Sequence, residues 1–185
     1  MRDYEEVVKT VVKVLNDLKI DYMIVGAVSV AVHGTPRSSE DVDVILMLSE
    51  KKMKGFVDSM GERGFLTHVE DIKSALREKS HFTIFDERSA YRIDCKGLYS
   101  KFDEQSFQRR IKKKVNSTEM WVNSPEDLIL AKLSYGAPRD VEDVMRTLVS
   151  QKNLDRKYLF KEAKKMGVNR KLQILLEKIN KRMTK

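Results

Sequence analysis

Two carboxylates, Asp41 and Asp43, stand two residues apart in the run Asp41-Val42-Asp43-Val44-Ile45-Leu46-Met47. Branched apolar residues at every other place predict a strand over 42–47. Side chains alternate along a strand, so Asp41 and Asp43 share one side of it. Carboxylates held together repel unless something positive lies between them. Magnesium suits that place, being a hard cation held by one or two carboxylates together with substrate phosphates. Alone, such a pair usually marks a turn or a solvated strand edge. Gly26 shifts the balance, because it follows the apolar run Tyr22-Met23-Ile24-Val25 and precedes the helix-like Ala27-Val28-Ser29-Val30-Ala31-Val32. A glycine between a strand and a helix lets the backbone approach a phosphate, which the helix N-terminus attracts.

The elements that must position these residues follow from periodicity. Residues 3–19 predict an amphipathic helix with Val7, Val11, Val12, Leu15 and Leu18 on one stripe. A strand at 22–25, a short helix at 27–32, the strand at 42–47 and a helix at 50–63 closed by Gly64 come next. Further expectations are a helix at 70–79, strands at 80–85, 91–96 and 120–123, and only helix from Ser124 onward, at about 138–150, 155–166 and 168–183. Ser124-Pro125-Glu126-Asp127 supplies an N-cap, a proline at the first helical position and acids in the first turn. Strand–helix alternation followed by helix alone predicts an α/β (α+β) core over 1–123 and a helical subdomain over 124–185. Phe85-Asp86-Glu87-Arg88-Ser89 reads as a hairpin turn. Arg109-Arg110-Ile111-Lys112-Lys113-Lys114 reads as a solvated loop or, together with the basic tail, as an extension of an anion-binding face, and Trp121 as an anchor of the seam between the two parts.

Charge separates the same two parts. Residues 151–185 carry 12 Lys or Arg against 3 acids, a net +9, while residues 1–150 carry 24 against 25, a net −1. A basic tail suggests an anionic partner. In its last helix Leu172, Leu175, Leu176, Ile179 and Met183 form an apolar stripe, and Lys171, Lys178, Arg182 and Lys185 a row beside it that can track an RNA backbone. Cys95 is the single cysteine, which excludes an intrachain disulfide and a multi-cysteine zinc site. The longest apolar run, Tyr22 to Val32, is broken by Gly26 and Ser29, and acids stand at the N-terminus where a signal peptide has bases. A cytoplasmic protein outside the membrane is the expectation.

The stretch from Ile24 to Ile45 resembles the signature of the DNA polymerase β-like nucleotidyltransferase superfamily: an apolar residue, Gly, then Gly or Ser, a spacer and Asp-x-Asp on a strand. Here 13 residues separate Ala27 from Asp41. The finer pattern of Gly26, Ala31, His33-Gly34, Arg37, Ser39 and Asp41-x-Asp43 is similar to the minimal nucleotidyltransferases and AbiEii-type toxin–antitoxin proteins. The C-terminal helices of those families resemble Pro125 to Leu133 and Arg139 to Val144, so the likeness spans about residues 20–165. It implies a small mixed β-sheet core with flanking helices and a C-terminal helical bundle. It also implies transfer of a nucleoside monophosphate from a triphosphate, ATP included, to an acceptor hydroxyl, with two magnesium ions, or manganese in their place, and release of pyrophosphate.

The resemblance implies a third carboxylate on a neighbouring strand, as metal ligand and as base for the acceptor hydroxyl; Asp94, central in Tyr91-Arg92-Ile93-Asp94-Cys95, fits it. Metal ligands and catalytic groups would then be Asp41, Asp43 and Asp94, with Gly26, Ala27, Ser29, Arg37 and Lys132 around the nucleotide. Ala27 departs from the family's Gly or Ser and offers a backbone N–H but no hydroxyl; Ser29 is the nearest substitute. Arg37 either contacts phosphate or pairs with Glu40, and Lys132 either contacts the triphosphate or snorkels to the surface. His33 reads as a structural cap, and Arg139, Asp140 and Asp143 as an ion-pair network. The acceptors implied are a transfer-RNA end, a tyrosine of a partner toxin, or a small antibiotic. A degenerate fold that only binds a nucleotide or a protein is the non-enzymatic alternative.

Overall fold

Asp3 opens the first helix. Its carboxylate accepts from the Glu6 N–H at 2.8 Å, and Glu6 accepts from the Asp3 N–H at 3.0 Å, so two orphan donors of the helix end are satisfied reciprocally. Helix α1 (Tyr4–Asp17) follows in the computed structural model, which describes residues 1–183. The next elements are β1 (Asp21–Ile24), α2 (Gly26–His33), β2 (Asp41–Met47), α3 (Glu50–Gly61), β3 (Phe65–Leu66), α4 (Val69–Arg77), β4 (His81–Asp86) and β5 (Arg92–Lys96). After them come α5 (Lys101–Gln108), β6 (Ile111–Val115), β7 (Thr118–Val122), α6 (Pro125–Tyr135), α7 (Pro138–Ser150), α8 (Arg156–Lys165) and α9 (Asn169–Met183).

The strands form one mixed sheet in the order β3-β4-β5-β2-β1-β7-β6. β2 runs parallel to β5, and β1 parallel to β7; the other neighbours are antiparallel. Alternation decides what each face meets. Val42, Val44 and Leu46 of β2, Ile93 and Cys95 of β5 and Phe82 and Ile84 of β4 enter a core shared with α1, α3 and α4. The intervening residues, Asp41 and Asp43 among them, face the other way. Beyond residue 124 a separate cluster unites Ile129 and Leu133 of α6, Val144 of α7, Leu159 of α8 and Leu172 and Leu175 of α9, with Phe102 of α5 packed against it. No helix among the described residues is long and apolar enough to cross a membrane.

Four expectations change. Residues 111–115 are the edge strand β6, not a loop; Lys112, Lys113 and Lys114 are exposed, and lysine on an edge discourages further strand pairing. Helix α5 was signalled by Ser100 and Asp103, which cap it reciprocally, in a stretch with too little apolar periodicity to show a helix. Trp121 packs against the main core from β7 and does not hold the seam. A buried polar network is at the seam instead: Asp127 accepts from Tyr158 Oη at 2.5 Å and from Ser124 Oγ at 2.9 Å, while the Arg109 guanidinium lies 3.6 Å over the Tyr158 ring. Asp86, expected in a turn, ends β4 with its carboxylate buried and paired to Arg2 at 2.7 Å.

The tail is less open than its charge suggests. Leu172, Leu175 and Ile179 are buried, and Lys171 donates to the Leu133 carbonyl at 3.1 Å, closing the C-terminal end of α6. Lys171 is thereby committed to the fold. Lys178 is exposed. The side chains of Arg182 and Met183, and Lys185 altogether, lie outside the described residues.

Candidate active site

β2 and β5 bring the three expected carboxylates together. Their parallel register sets Asp43 opposite Asp94 and Asp41 opposite Arg92, and residues directly opposite share a face. Each acid is held differently. Asp41 accepts from Ser39 Oγ at 2.8 Å, and Asp94 from Thr83 Oγ1 of β4 at 2.7 Å. The Arg92 guanidinium spans the two, 3.4 Å from Asp41 Oδ2 and 3.4 Å from Asp94 Oδ2. Asp43 lies deepest. Burial pushes its carboxyl up to about 6, the Asp41 and Asp94 charges push in the same direction, and Lys132 and Arg37 pull back.

Gly26 begins α2 with φ +60°, a left-handed conformation that costs glycine little. Its bare Cα faces Asp43: a Cβ there would stand 1.8 Å from Asp43 Oδ2. Val25 N–H donates to the Asp43 carbonyl at 3.0 Å, so strand and helix start are locked to the acid. The first N–H groups of α2 have no intrahelical partner and leave a positive helix end here. Ala27 is buried and lines an apolar groove with Tyr4, Val8 and Met120. Ser29 is fully buried and donates to Asn123 Oδ1, which corrects its placing beside the nucleotide: its hydroxyl is already spent within the fold. His33 is structural, as expected. It is buried, lies 2.8 Å from the Asn123 carbonyl through Nε2, and burial holds its imidazole below the ordinary value.

Lys132 and Arg37 converge from opposite sides on α7. Lys132 Nζ lies 2.7 Å from Asp140 and 3.3 Å from Asp143, and Arg37 Nε is 3.1 Å from Asp143. Arg37 therefore pairs with Asp143 and not with Glu40. Arg139 donates to the Ser38 carbonyl at 2.6 Å, tying the loop before β2 to the same helix. The network differs from the expected one: Asp140 and Asp143 are paired with Lys132 and Arg37, while Arg139 binds a backbone carbonyl, and both paired cations pull the Asp43 carboxyl down.

Two cavities flank the acids. One, of about 600 Å³, is lined by Gly26, Asp43, Asp94, Asn123 and Lys132, with Tyr135 further along α6. The other, of about 1040 Å³, is lined by Arg37, Ser39, Glu40, Asp41, Asp43 and Arg139. Asp43 borders both. Among the described residues no group of three or more His, Cys, Asp or Glu could hold a metal ion on its own. The chemistry of the donor set nevertheless fits a hard cation completed by phosphate oxygens: three carboxylates on one face, one of them raised by burial and further by the charge of the other two. Sequence reasoning missed Thr83, Arg92 and Asn123. Arg92 was legible, since it precedes Asp94 by two residues on the same strand face; Thr83 and Asn123 depend on sheet order and helix docking.

The mixed sheet, the paired acids on β2 and the glycine at the start of α2 agree with the nucleotidyltransferase superfamily that the motifs resemble. Within it the chain belongs to the family described as "Nucleotidyltransferase of unknown function (DUF6036)", which matches residues 3–180. No curated protein matches the chain. Several solved structures share its fold. An antigenic nucleotidyltransferase-like protein from Paracoccidioides brasiliensis is 15% identical with a TM-score of 0.60, over 95% of this chain and 87% of that one. The lincosamide antibiotic adenylyltransferase LnuA, lincomycin-bound, is 12% identical with a TM-score of 0.57, over 80% and 98%. ANT(2")-Ia in complex with adenylyl-2"-tobramycin is 11% identical with a TM-score of 0.56, over 78% and 87%. At such identities the likeness is one of fold. The narrower likeness to minimal nucleotidyltransferases and AbiEii-type proteins stays a resemblance of motifs.

Proposed function

We propose that this protein transfers a nucleoside monophosphate from a nucleoside triphosphate to an acceptor hydroxyl, with Asp41, Asp43 and Asp94 as the catalytic acids. The observation that carries this reading is the register of β2 on β5, which sets Asp43 opposite Asp94 and leaves Asp41 on the same face. Gly26 and the backbone N–H of Ala27 offer the helix end to phosphate. Lys132 and Arg37 add positive charge on the side of α7. The acceptor hydroxyl attacks the α-phosphorus, the bond to the bridging oxygen of the β-phosphate breaks, and pyrophosphate departs. Asp94, steadied by Thr83, takes the proton from the attacking hydroxyl. Magnesium held by the three acids would neutralise phosphate charge and lower the pKa of the acceptor hydroxyl.

The acceptor we propose is the end of an RNA, because of the net charge of +9 in residues 151–185. A second reading, a small hydroxyl compound, is favoured by the paired cavities of about 600 and 1040 Å³, which leave room for a nucleotide and a compact acceptor on either side of Asp43. The test is incubation with each labelled triphosphate and magnesium, in separate reactions with total RNA and with a panel of small polyols and aminoglycosides. Magnesium-dependent pyrophosphate release, absent in Asp43→Asn, supports transfer. No release from any triphosphate leaves only a nucleotide- or protein-binding module.

A further inference from the structure

Arg92 is the one side chain paired with two of the three acids among the described residues, and its geometry is that of a stand-in for a cation. Nη2 lies 3.4 Å from Asp41 Oδ2, and Nε 3.4 Å from Asp94 Oδ2. The remaining oxygens of these acids, both Oδ1, are occupied by Ser39 and Thr83. The guanidinium thus holds one oxygen of each acid, and a hydroxyl holds the other. Its side chain is 43% exposed, against 31% for Asp41 and 25% for Asp94, so it covers the acids from the solvent side and is not buried with them. A second observation concerns where it can go. Phe85 of β4 is the cross-strand partner of Arg92, shares its face and is 56% exposed. An arginine released from the acids has an aromatic face directly beside it, a favourable place for a guanidinium.

We propose that Arg92 is an intramolecular competitor of the divalent cation. It neutralises Asp41 and Asp94 while the acids are empty and moves onto Phe85 when a metal takes them. This rests on the proposed metal-dependent transfer, and it adds a built-in threshold: the acids yield to a cation only at a concentration that outbids the guanidinium. A purely bracing role for Arg92 makes the opposite forecast, since losing a brace would let the acids turn apart and weaken metal binding.

Binding of Mn²⁺ to the full chain with a non-hydrolysable triphosphate that completes the donor set, followed by electron paramagnetic resonance of the free ion against a nucleotide-only control, separates the two. Arg92→Gln is expected to bind Mn²⁺ roughly three- to tenfold more tightly than the native chain, because two part-exposed ion pairs no longer have to be given up. Phe85→Ala, at an exposed site, is expected to bind slightly more weakly, since the displaced arginine loses its resting place. Circular dichroism confirms that both variants are folded. Equal or weaker Mn²⁺ binding in Arg92→Gln, with binding retained by the native chain, overturns the competitor role and leaves the transferase reading standing. Absence of Mn²⁺ binding in every variant, with triphosphate present as well as without, overturns the metal-dependent reading and this inference with it.

Discussion

The Asp43 carboxylate occupies the space that a side chain at position 26 would need. A Cβ built on Gly26 would lie 1.8 Å from Asp43 Oδ2 and 2.7 Å from its Cγ. The glycine of the motif is therefore explained twice, by a φ of +60° and by the acid packed against it. Gly26→Ala must push Asp43 aside or unwind the first turn of α2. Activity should fall by at least a hundredfold, and stability by roughly 1–3 kcal/mol from backbone strain alone. Urea unfolding and single-turnover transfer measure the two effects. A fully active Gly26→Ala would show that Asp43 need not stand where it does.

Asp43 makes metal-free stability depend on pH. Its carboxyl is raised from 3.8 to about 6 by burial and by Asp41 and Asp94. The folded chain then holds a proton that the unfolded chain has released, so this group favours folding below about pH 4 and that contribution fades as pH rises to about 6. Asp43→Asn removes the charge, and at pH 7 should gain on the order of 1–2 kcal/mol while losing transfer. Asp41→Asn should gain less, because it also gives up the Arg92 pair at 3.4 Å. Thermal melts in chelator from pH 4 to 8 give the answer; a flat difference between Asp43→Asn and the native chain would contradict the assignment.

Asp143 holds both flanking cations, Arg37 at 3.1 Å and Lys132 at 3.3 Å, with its own side chain only 1% exposed. Asp143→Asn leaves part-buried Arg37 without its ion-pair partner and Lys132 with Asp140 alone, and a cost of about 3 kcal/mol is expected. Lys132→Ala should weaken triphosphate affinity about tenfold, the usual scale of one hydrogen bond to a charged group. Calorimetry with a non-hydrolysable triphosphate and magnesium is the measurement, and unchanged affinity would confine Lys132 to its role between α6 and α7.

The basic tail can be tested without dismantling it. Leu172, Leu175 and Ile179 are buried, so removing α9 would expose the helical core. Lys178 and Lys181 are exposed, and changing both to Glu should spare the fold. If RNA is the acceptor, affinity falls and the slope of log affinity against log salt flattens by about 1.4, the value for two phosphate contacts on a single strand. An unaltered slope moves the acceptor towards the small-molecule reading.

Much of the site was legible because its signals are local. Period-two alternation put Asp41 and Asp43 on one face, and the family resemblance pointed to Asp94; the same alternation would have placed Arg92 beside Asp94 on β5, although it was not used there. Ser29 was misplaced because a helix as short as α2, apolar nearly all round, gives no direction for its one hydroxyl; docking against Asn123 sets that direction. The stretch 97–115 was read poorly. α5 depends on its capping pair and on Phe107 meeting Met23 and Ile45, and β6 on its antiparallel pairing with β7, Lys112 with Trp121 and Val115 with Thr118.

By itself the sequence determined the order of most elements, the glycine–diacid motif, the basic end and the cap at Ser124, all set by neighbours within a few residues. Only the tertiary structure decided that β5 lies beside β2 in parallel, which turns three scattered acids into one cluster. It also decided that Lys132 and Arg37 share Asp143, and that Arg92 lies across Asp41 and Asp94. The physical reason is range. Alternation and capping act over two to four residues, whereas the meeting of Asp43 with Asp94 depends on which strands pair, and that follows from burying the apolar face of the whole sheet at once.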